Sequence, residues 1–275
     1  MIHKAKKSLG QNFLKSKGVL LAMCKAGDLF KSDVVLEIGP GKGVLTEYLL
    51  RSVNKVIAIE KDHNLCEILF EKFQKEITSG HLVLIKGDIL EFDPSVYDLK
   101  SGEYKVVANI PYNITGAIFK KFLTEDTQPS TMVLLVQKEV AERIVARDGK
   151  ESILSVSVKA YGTPKYITKV SKKFFSPAPK VDSAIVQITS ISKKNFASPL
   201  APLRGTREGK IQEKWFFQIV KAGFAHKRKV LIRNLDAVVE KKKIKEFFEK
   251  NNINEKVRAE DISIKEWLAL AKELE

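Results

Sequence analysis

The stretch Asn109–Thr115, NIPYNIT, follows an apolar run, YKVVA, that is typical of a buried strand. Pro111 cannot donate a hydrogen bond to a sheet ladder, so the strand must end there. An amide, a backbone carbonyl and an aromatic ring are therefore held together at a strand end. The Asn109 side chain and the Ile110 carbonyl can accept both N–H groups of a nucleobase amine. The Tyr112 ring can stack on that base, contributing about 1–3 kcal/mol.

This arrangement fits the chemistry of an exocyclic amine, which is a poor nucleophile because its lone pair is delocalised into the ring. Two acceptors would favour a geometry in which the lone pair points at an electrophilic carbon. The base must first leave its stack, and positioning would supply most of the acceleration without a strong general base. A purely structural alternative, in which Asn113 caps the following helix, does not explain Asn109, Pro111 and Tyr112.

A second group of residues suits a nucleotide-like cofactor. Glu37 to Gly43, EIGPGKG, follows an apolar strand pattern, and its glycines would let a ligand approach the backbone. Glu60 ends the next strand, 21 residues after Gly39, where a carboxylate usually binds two ribose hydroxyls. Asp88 ends the third strand and is placed to meet an adenine amino group.

The loop chemistry favours S-adenosylmethionine over a dinucleotide. A dinucleotide fold uses G-x-G-x-x-G with a pyrophosphate at the helix N-terminus, whereas here Gly39, Gly41 and Gly43 alternate and an acid precedes them. That acid suits a ligand with ammonium and sulfonium charges better than one with phosphates. A nicotinamide dehydrogenase remains an alternative, and a tight strand-to-helix turn would explain the glycines alone.

The elements that must position these residues alternate along the chain. Apolar runs at 33–39, 55–60, 81–88, 104–110 and 131–137 predict strands, and the segments at 44–53, 63–77, 115–123 and 138–147 predict helices. Strands alternating with helices predict an α/β fold with a mostly parallel sheet and helices on both faces. Nearly continuous apolar strands fit a sheet buried on both sides.

The remainder of the chain differs in pattern. Segment 152–162 predicts a helix, and segments 164–171 and 183–191 predict two strands. The polar stretch 193–210 contains Pro and Gly and predicts a linker. Four segments with helical spacing follow it. We therefore expect a catalytic domain at 1–192, a linker at 193–210 and a small all-helical domain at 211–275.

The composition of the chain limits the kinds of partner that we expect it to bind. The chain of 275 residues carries 48 Lys and Arg against 33 Asp and Glu, a formal charge of +15, which favours a polyanionic partner such as nucleic acid. Two cysteines without a CxxC spacing and four scattered histidines predict neither a disulfide framework nor a metal site. No segment approaches a membrane span, so we expect a cytoplasmic protein without a membrane partner.

Several motifs together resemble the ribosomal RNA adenine N6,N6-dimethyltransferases over nearly the whole chain. These are KKSLGQNFL (6–14), VLEIGPGKGVLT (35–46), IAIEKD (57–62), KGDIL (86–90), NIPYNIT (109–115), FFSPAPKVDSAIV (174–186) and KAGFAHKRKVLIRNL (221–235). The first motif is similar to the small-subunit branch of that family. Ile110 and Thr115 stand where Leu and Ser are commoner, and both should be tolerated because Ile110 acts through its backbone. His226–Lys229 replaces a more usual Gln-Arg-Arg-Lys, which affects RNA docking and not the chemistry.

The resemblance implies a class I S-adenosylmethionine-dependent methyltransferase with a Rossmann-like fold. It implies that Asn12 and Leu14 close over the methionine end of the cofactor and that Asn109 lies between cofactor and target. Phe175 would be a second aromatic wall opposite Tyr112. The implied cofactor-binding residues are Asn12, Leu14, Gly39, Gly41, Glu60, Asp88, Ile89 and Asn109, and the implied catalytic residues are Asn109, Ile110, Tyr112 and Phe175.

The implied substrate is small-subunit rRNA, within a 30S-type assembly intermediate, where two neighbouring adenosines of a hairpin loop near the 3′ end are each methylated twice. We expect a monomer without a metal. Candidate phosphate contacts are Lys6, Lys7, Lys221, Lys227, Arg228, Lys229 and Arg233. Two alternatives stay open, namely the large-subunit rRNA methyltransferases of macrolide resistance and a non-catalytic RNA-binding or transcription-accessory relative.

Overall fold

The computed structural model describes residues 5–6, 9–196 and 207–274. The chain divides into two compact units. The first comprises residues 1–141 and 164–191, and the second comprises residues 142–163 and 192–275. The first unit thus ends short of the predicted 1–192 boundary and leaves out 142–163, because that segment packs with the C-terminal helices.

A seven-stranded sheet forms the centre of the first unit, in the order β4-β3-β2-β5-β6-β9-β7. Strands β2, β3, β4, β5 and β6 pair in parallel, and β9 pairs antiparallel with β6. A separate two-residue strand, β1, pairs antiparallel with β8. The strands are β1 Phe13–Leu14, β2 Val34–Ile38, β3 Lys55–Glu60, β4 Leu82–Lys86, β5 Tyr104–Asn109, β6 Thr131–Gln137, β7 Thr163–Val170, β8 Phe175–Ser176 and β9 Ser183–Thr189.

Burial explains why the central runs form strands. Leu36 of β2 lies between Ile57 of β3 and Val106 of β5, and all three side chains are buried. Central parallel strands covered on both faces consist of apolar residues without alternation. The predicted α/β fold with a mostly parallel sheet is confirmed, and each parallel strand delivers its carboxyl end to the same edge.

Helices connect these strands. Those of the first unit are α1 Lys17–Ala26, α2 Val44–Ser52, α3 His63–Lys72, α4 Gln74–Thr78 and α5 Thr115–Thr124, and α6 Lys138–Val145 crosses from the first unit into the second. Their apolar faces join the core, as with Leu20 and Met23 of α1 and Leu49 of α2. Helix α1 was not predicted, and the predicted helix 63–77 is two helices that meet at Phe73.

The second unit is helical, as predicted for the C-terminal region. Its helices are α7 Ile153–Tyr161, α8 Arg207–Gly223, α9 Leu231–Leu235, α10 Lys241–Lys250 and α11 Ile264–Glu273. The Tyr161 ring lies against Phe196 and Phe217, and its hydroxyl donates to Glu213. Phe224 stacks on the buried Trp267. No helix in the described ranges has the length and apolar character needed to cross a bilayer.

The predicted linker at 193–210 differs from the structure at both ends. Residues Lys194–Phe196 form a 3-10 turn whose Phe196 is buried against aromatic rings, and helix α8 already begins at Arg207. A buried aromatic anchors the first end, and the second end continues the helical pattern of α8. The part from 197 to 206 lies outside the described residues.

Candidate active site

A cavity of about 240 Å³ opens at the carboxyl ends of β2, β3 and β5. It is lined by the glycine loop after β2, the acidic end of β3, the turn after β4, the segment after β5 and residues 9–14 near the N-terminus. The structure thus brings together ten of the predicted site residues: Asn12, Leu14, Gly39, Gly41, Glu60, Asp88, Ile89, Asn109, Ile110 and Tyr112.

Glu60 is fixed by the backbone on both sides. One carboxylate oxygen accepts the Gly41 N–H at 3.0 Å, and the other accepts the Asp62 N–H at 2.8 Å. Burial raises the pKa of the Glu60 carboxyl, and these backbone donors oppose that shift. A carboxylate has about four acceptor positions on its two oxygens, so Glu60 can still accept a hydroxyl beside these backbone donors.

Glu37 adds a second buried acid to the cavity wall. Burial raises its pKa to about 8, while the Thr46 hydroxyl and the more distant Lys72 oppose the shift. At neutral pH the carboxyl is therefore mostly protonated, and a cation bound beside it would favour the ionised form. A cationic ligand can gain binding energy here that a phosphate cannot.

Asp88 is engaged by a residue that the sequence did not predict for the site. Lys61 donates to one oxygen of Asp88 at 2.6 Å, and the Leu90 N–H donates to the other at 3.0 Å. The bond from Lys61 is the largest cause that lowers the pKa of Asp88. Lys61 is exposed, so this acceptor lies at the mouth of the cavity, partnered by a lysine at its rim.

The N-terminal segment is tied to the cavity by Asp62. The buried Asp62 carboxylate accepts from Lys6 Nζ at 2.7 Å and from Gln11 Nε2 at 2.9 Å. It also caps helix α3 through the Asn64 N–H. The ammonium of Lys6, predicted to contact RNA phosphate, is thus paired with a protein carboxylate, and Lys7 lies outside the described residues.

The same segment holds Asn109. The Asn109 side-chain amide donates to the Asn12 carbonyl at 3.2 Å, which leaves the Oδ1 atom as the acceptor for another group. Gly10 has a φ of +63°, and a Cβ at Gly10 would lie 3.2 Å from Asn113 Oδ1 and 3.4 Å from Pro111. Glycine is therefore needed where this segment crosses the strand end.

Tyr112 is held by a residue of β9, a strand of the same sheet that is distant in sequence. Its hydroxyl lies 2.6 Å from the hydroxyl of Ser183, a buried residue at the start of β9. Burial raises the pKa of Tyr112, and the Ser183 bond opposes that shift. The hydrogen bond to Ser183 therefore fixes the direction of the Tyr112 ring, which lines the cavity.

Phe175 lies elsewhere than the resemblance implied. It is 4% exposed, pairs with Leu14 through β8 and β1, and belongs to the hydrophobic core. It is absent from the cavity lining, because the pairing with β1 packs the ring inward. The exposed aromatic of this motif is its neighbour Phe174, which is 43% exposed.

The predicted basic residues of the second unit flank the turn between α8 and α9. Lys221 lies in the last turn of α8, the connecting turn follows, and Arg233 lies on α9. Buried Asn234 donates to the carbonyls of Gly223 and His226 and so fixes this turn. All five predicted side chains are exposed, and none pairs with an acid in the described part of the chain: Lys221, Lys227, Arg228, Lys229 and Arg233.

The cavity fits an adenosyl ligand with a cationic tail. Gly39 has a φ of +63°, and a Cβ built there would meet no atom within 4 Å, so the loop leaves open space for a ligand. Glu60 offers acceptors for hydroxyls, Asp88 offers one for an amino group, and the Glu37 carboxyl can ionise beside an ammonium or sulfonium. These three carboxyl groups fit the predicted cofactor.

Sequence comparison identifies relatives over the full length. A family model described as ribosomal RNA adenine dimethylase matches residues 2–275. A curated ribosomal RNA small subunit methyltransferase A from Dehalococcoides mccartyi is 40% identical over 272 residues, covering 98% of this chain and 88% of that protein. The protein of the same name from Fusobacterium nucleatum is 38% identical over 275 residues, covering 99% and 98%.

Structure comparison identifies the same architecture in solved proteins. The crystal structure of the 23S rRNA methyltransferase ErmE has a TM-score of 0.75 and 25% identity, covering 96% of this chain and 99% of that one. A dimethyladenosine transferase from Plasmodium falciparum has a TM-score of 0.74 and 25% identity, covering 94% and 95%.

Proposed function

This chain belongs to the ribosomal RNA adenine dimethylase family, and we propose that it dimethylates N6 of two adjacent adenosines in small-subunit rRNA, using S-adenosylmethionine. The adenosines lie in a hairpin loop near the 3′ end of that RNA. The observation that carries the proposal is the amide of Asn109, whose nitrogen donates to the Asn12 carbonyl, so that the oxygen is left as an acceptor in a residue that lines the cavity together with Ile110 and Tyr112.

The residues after β5 would bind and orient the target amine. The Asn109 Oδ1 atom and the Ile110 carbonyl accept its two N–H groups, and the Tyr112 ring, anchored by Ser183, stacks on the base. S-adenosylmethionine supplies a methyl group bonded to a positively charged sulfur. Asn109 and Ile110 would hold the amine with its lone pair towards this methyl group, and the surplus proton would leave the nitrogen to solvent.

The residues after β2, β3 and β4 would bind the cofactor. Glu60 accepts the ribose hydroxyls, Asp88 the adenine amine, and Glu37 balances the positive charge of the tail. Ile89 is buried in the lining beside Asp88 and suits the apolar face of adenine. The segment that includes Asn12 and Leu14 covers the remaining side, held there by Asp62.

The partner is a small-subunit precursor particle in the cytoplasm, bound by the protein as a monomer. The formal charge of +15 supports a polyanionic partner, and the exposed basic turn between α8 and α9 supplies phosphate contacts in the helical unit. Such contacts make binding strongly dependent on salt.

Two observations separate this function from its alternatives. The curated relatives at 38–40% identity carry a small-subunit name, whereas the large-subunit enzyme ErmE is 25% identical. A non-catalytic relative has no need for an intact acceptor at Asn109 together with the buried acids Glu37 and Glu60. Both observations favour the small-subunit methyltransferase.

Labelled methyl groups test the proposal directly. Small and large ribosomal subunits from cells that lack this modification would be incubated with the protein and methyl-labelled S-adenosylmethionine. We expect label in small-subunit rRNA, which mass spectrometry resolves as dimethyladenosine at two neighbouring positions. Label only in the large subunit, or label in neither with the cofactor bound, would contradict the proposal.

A further inference from the structure

An exposed aromatic and basic surface lies between β7 and β9, outside the cavity and outside the basic turn of the second unit. Phe174 is 43% exposed and Val181 is 40% exposed. Lys172, Lys173 and Lys180 are exposed beside them in the sequence KKFFSPAPKV. We call this surface, together with the exposed Lys15, the aromatic rim.

The aromatic rim is fixed to the cavity through the backbone. The Lys15 N–H donates to the Phe174 carbonyl at 2.8 Å. In the next two pairs of the same ladder, Leu14 lies opposite Phe175 and Phe13 opposite Ser176, and both Phe13 and Leu14 line the cavity. Phe174 therefore lies one ladder step beyond the cavity wall.

The other end of the aromatic rim leads to the target side of the cavity. Val181 and Asp182 directly precede Ser183, whose hydroxyl holds the Tyr112 ring. A base stacked on Tyr112 would thus be bordered by the segment that carries Phe174. This segment is therefore placed to contact a nucleotide next to that base.

The charges of the aromatic rim favour a polyanion. The acid within the segment is Asp182, and it is occupied by Lys169 at 2.9 Å and by the Lys172 N–H at 3.0 Å. Lys172 Nζ donates a hydrogen bond to the Lys180 carbonyl at 3.3 Å. Lys15, Lys173 and Lys180 therefore add positive charge around Phe174 that Asp182 does not cancel.

We propose that the aromatic rim binds the nucleotide adjacent to the methylated adenosine, with Phe174 stacking on its base and the surrounding lysines contacting its phosphates. An exposed aromatic among lysines is the surface that single-stranded nucleic acid prefers, since every base has a face to stack. Its occupant is single-stranded RNA, and the proposal rests on the proposed function. It gives Phe174 the external stacking role that the buried Phe175 does not fill.

The test compares Phe174→Ala with Phe70→Ala, since Phe70 is 55% exposed on α3 and does not line the cavity. The full-length variants would methylate unmodified small-subunit particles and a protein-free fragment of the same rRNA. Phe174→Ala should raise KM for both RNA substrates about 5- to 100-fold, the loss of one stacked base. Phe174→Trp should stay near the original KM, and cofactor affinity should not change.

A charge variant gives an independent readout. Lys173→Gln should flatten the dependence of log KM on log salt by about one phosphate contact, whereas Phe174→Ala should leave that slope unchanged. A different result is that the original protein methylates the RNA while Phe174→Ala and Phe70→Ala have the same KM. That result would contradict the proposed role of the aromatic rim and would not affect the proposed function.

Two further outcomes are also decisive. A KM effect on particles that is absent from protein-free rRNA would assign the surface to a ribosomal protein and overturn the RNA assignment. Failure of the original protein to label particles or rRNA is a failure of the proposed function. The rim would then be judged by fluorescence anisotropy with a labelled single-stranded RNA, where equal affinities of Phe174→Ala and Phe70→Ala would overturn it.

Discussion

The cofactor side and the target side of the cavity are built in different ways. On the cofactor side, Glu60 is held by the backbone N–H groups of Gly41 and Asp62, both at strand ends of the same sheet edge. On the target side, Asn109 and Tyr112 are held by Asn12 and Ser183, which are 97 and 71 residues away in the sequence. The first side is formed by residues that follow neighbouring strands, whereas the second depends on partners that are distant in sequence, namely the N-terminal segment and the first residue of β9.

This difference predicts how each side responds to mutation. Changes on the cofactor side should weaken cofactor binding and spare the turnover of the loaded enzyme. Changes on the target side should lower turnover or RNA binding and spare the cofactor. The N-terminal segment contacts both sides, so changes to its attachment should affect both.

Asn109→Ala should give the largest effect. It removes the acceptor that orients the target amine, so we expect kcat to fall about 100-fold or more, with the cofactor dissociation constant within about threefold of the original, since the Glu60 side is unchanged. Methyl transfer to small-subunit particles and a calorimetric cofactor titration measure the two. Asn54→Ala, at an exposed position outside the cavity lining, is the control. Equal losses of turnover and cofactor affinity in Asn109→Ala would contradict the division into two sides.

Glu60→Gln should weaken cofactor binding about 10- to 100-fold, the expected loss for hydrogen bonds to a buried charged group. The amide would place a donor against the N–H of Gly41 or Asp62. Turnover at saturating cofactor should stay within a few-fold of the original, as measured by kcat and the cofactor KM in the same assay. Glu67→Gln on the exposed face of α3 is the matched control, and a fall in kcat without a rise in KM would be the opposite result.

Much of the cofactor side was predictable from sequence because its signals are local. Apolar runs gave the central strands, and the spacing from Gly39 to Glu60 and Asp88 placed three strand ends at one edge. The structure brings Gly39, Glu60 and Asp88 to the cavity wall together with Asn12, Leu14 and Ile89, which only the family resemblance implied. Residues that follow neighbouring parallel strands lie close together at one edge of the sheet, and this does not depend on contacts with distant parts of the chain.

The target side was less predictable because its contacts are distant in sequence. Strands β1 and β8 have two residues each, too short for any periodicity, yet their pairing buries Phe175. Lys6 pairs with Asp62 and Tyr112 with Ser183, and no spacing rule in the sequence predicts either pair. From the sequence, the charge of Lys6 alone favours an RNA contact.

The same reason explains the first end of the predicted linker in the second unit. The aromatic partners of Phe196 on α8 lie about twenty residues further along the chain, so the local sequence around Phe196 does not show that it is buried.

Asp62→Asn tests the segment shared by both sides. Asparagine can still cap α3, but it lacks the charge that holds Lys6. We expect cofactor dissociation to be about tenfold faster and turnover to fall by a smaller factor, because Asn12 would hold Asn109 less firmly. Stopped-flow displacement of the cofactor measures the rate. Lys6→Met should reproduce the effect. Lys75→Met changes an exposed lysine on α4 and should leave the dissociation rate unchanged. An unchanged dissociation rate in Asp62→Asn would show that the N-terminal segment is held without this ion pair.

Ser183→Ala should give the smallest effect of these variants. It tests whether the hydrogen bond to Tyr112 positions the ring on the target side of the cavity. The substitution removes the partner of the Tyr112 hydroxyl and keeps the ring, so we expect a loss of about 1 kcal/mol, seen as a roughly fivefold rise in the RNA KM without a change in cofactor affinity. Tyr112→Phe removes the same hydrogen bond from the other side. If the bond positions the ring, the double variant should lose no more than either single variant, since the two changes abolish one interaction. Additive losses would instead mean that Ser183 acts through the packing of β9 and that the Tyr112 ring is positioned by other contacts.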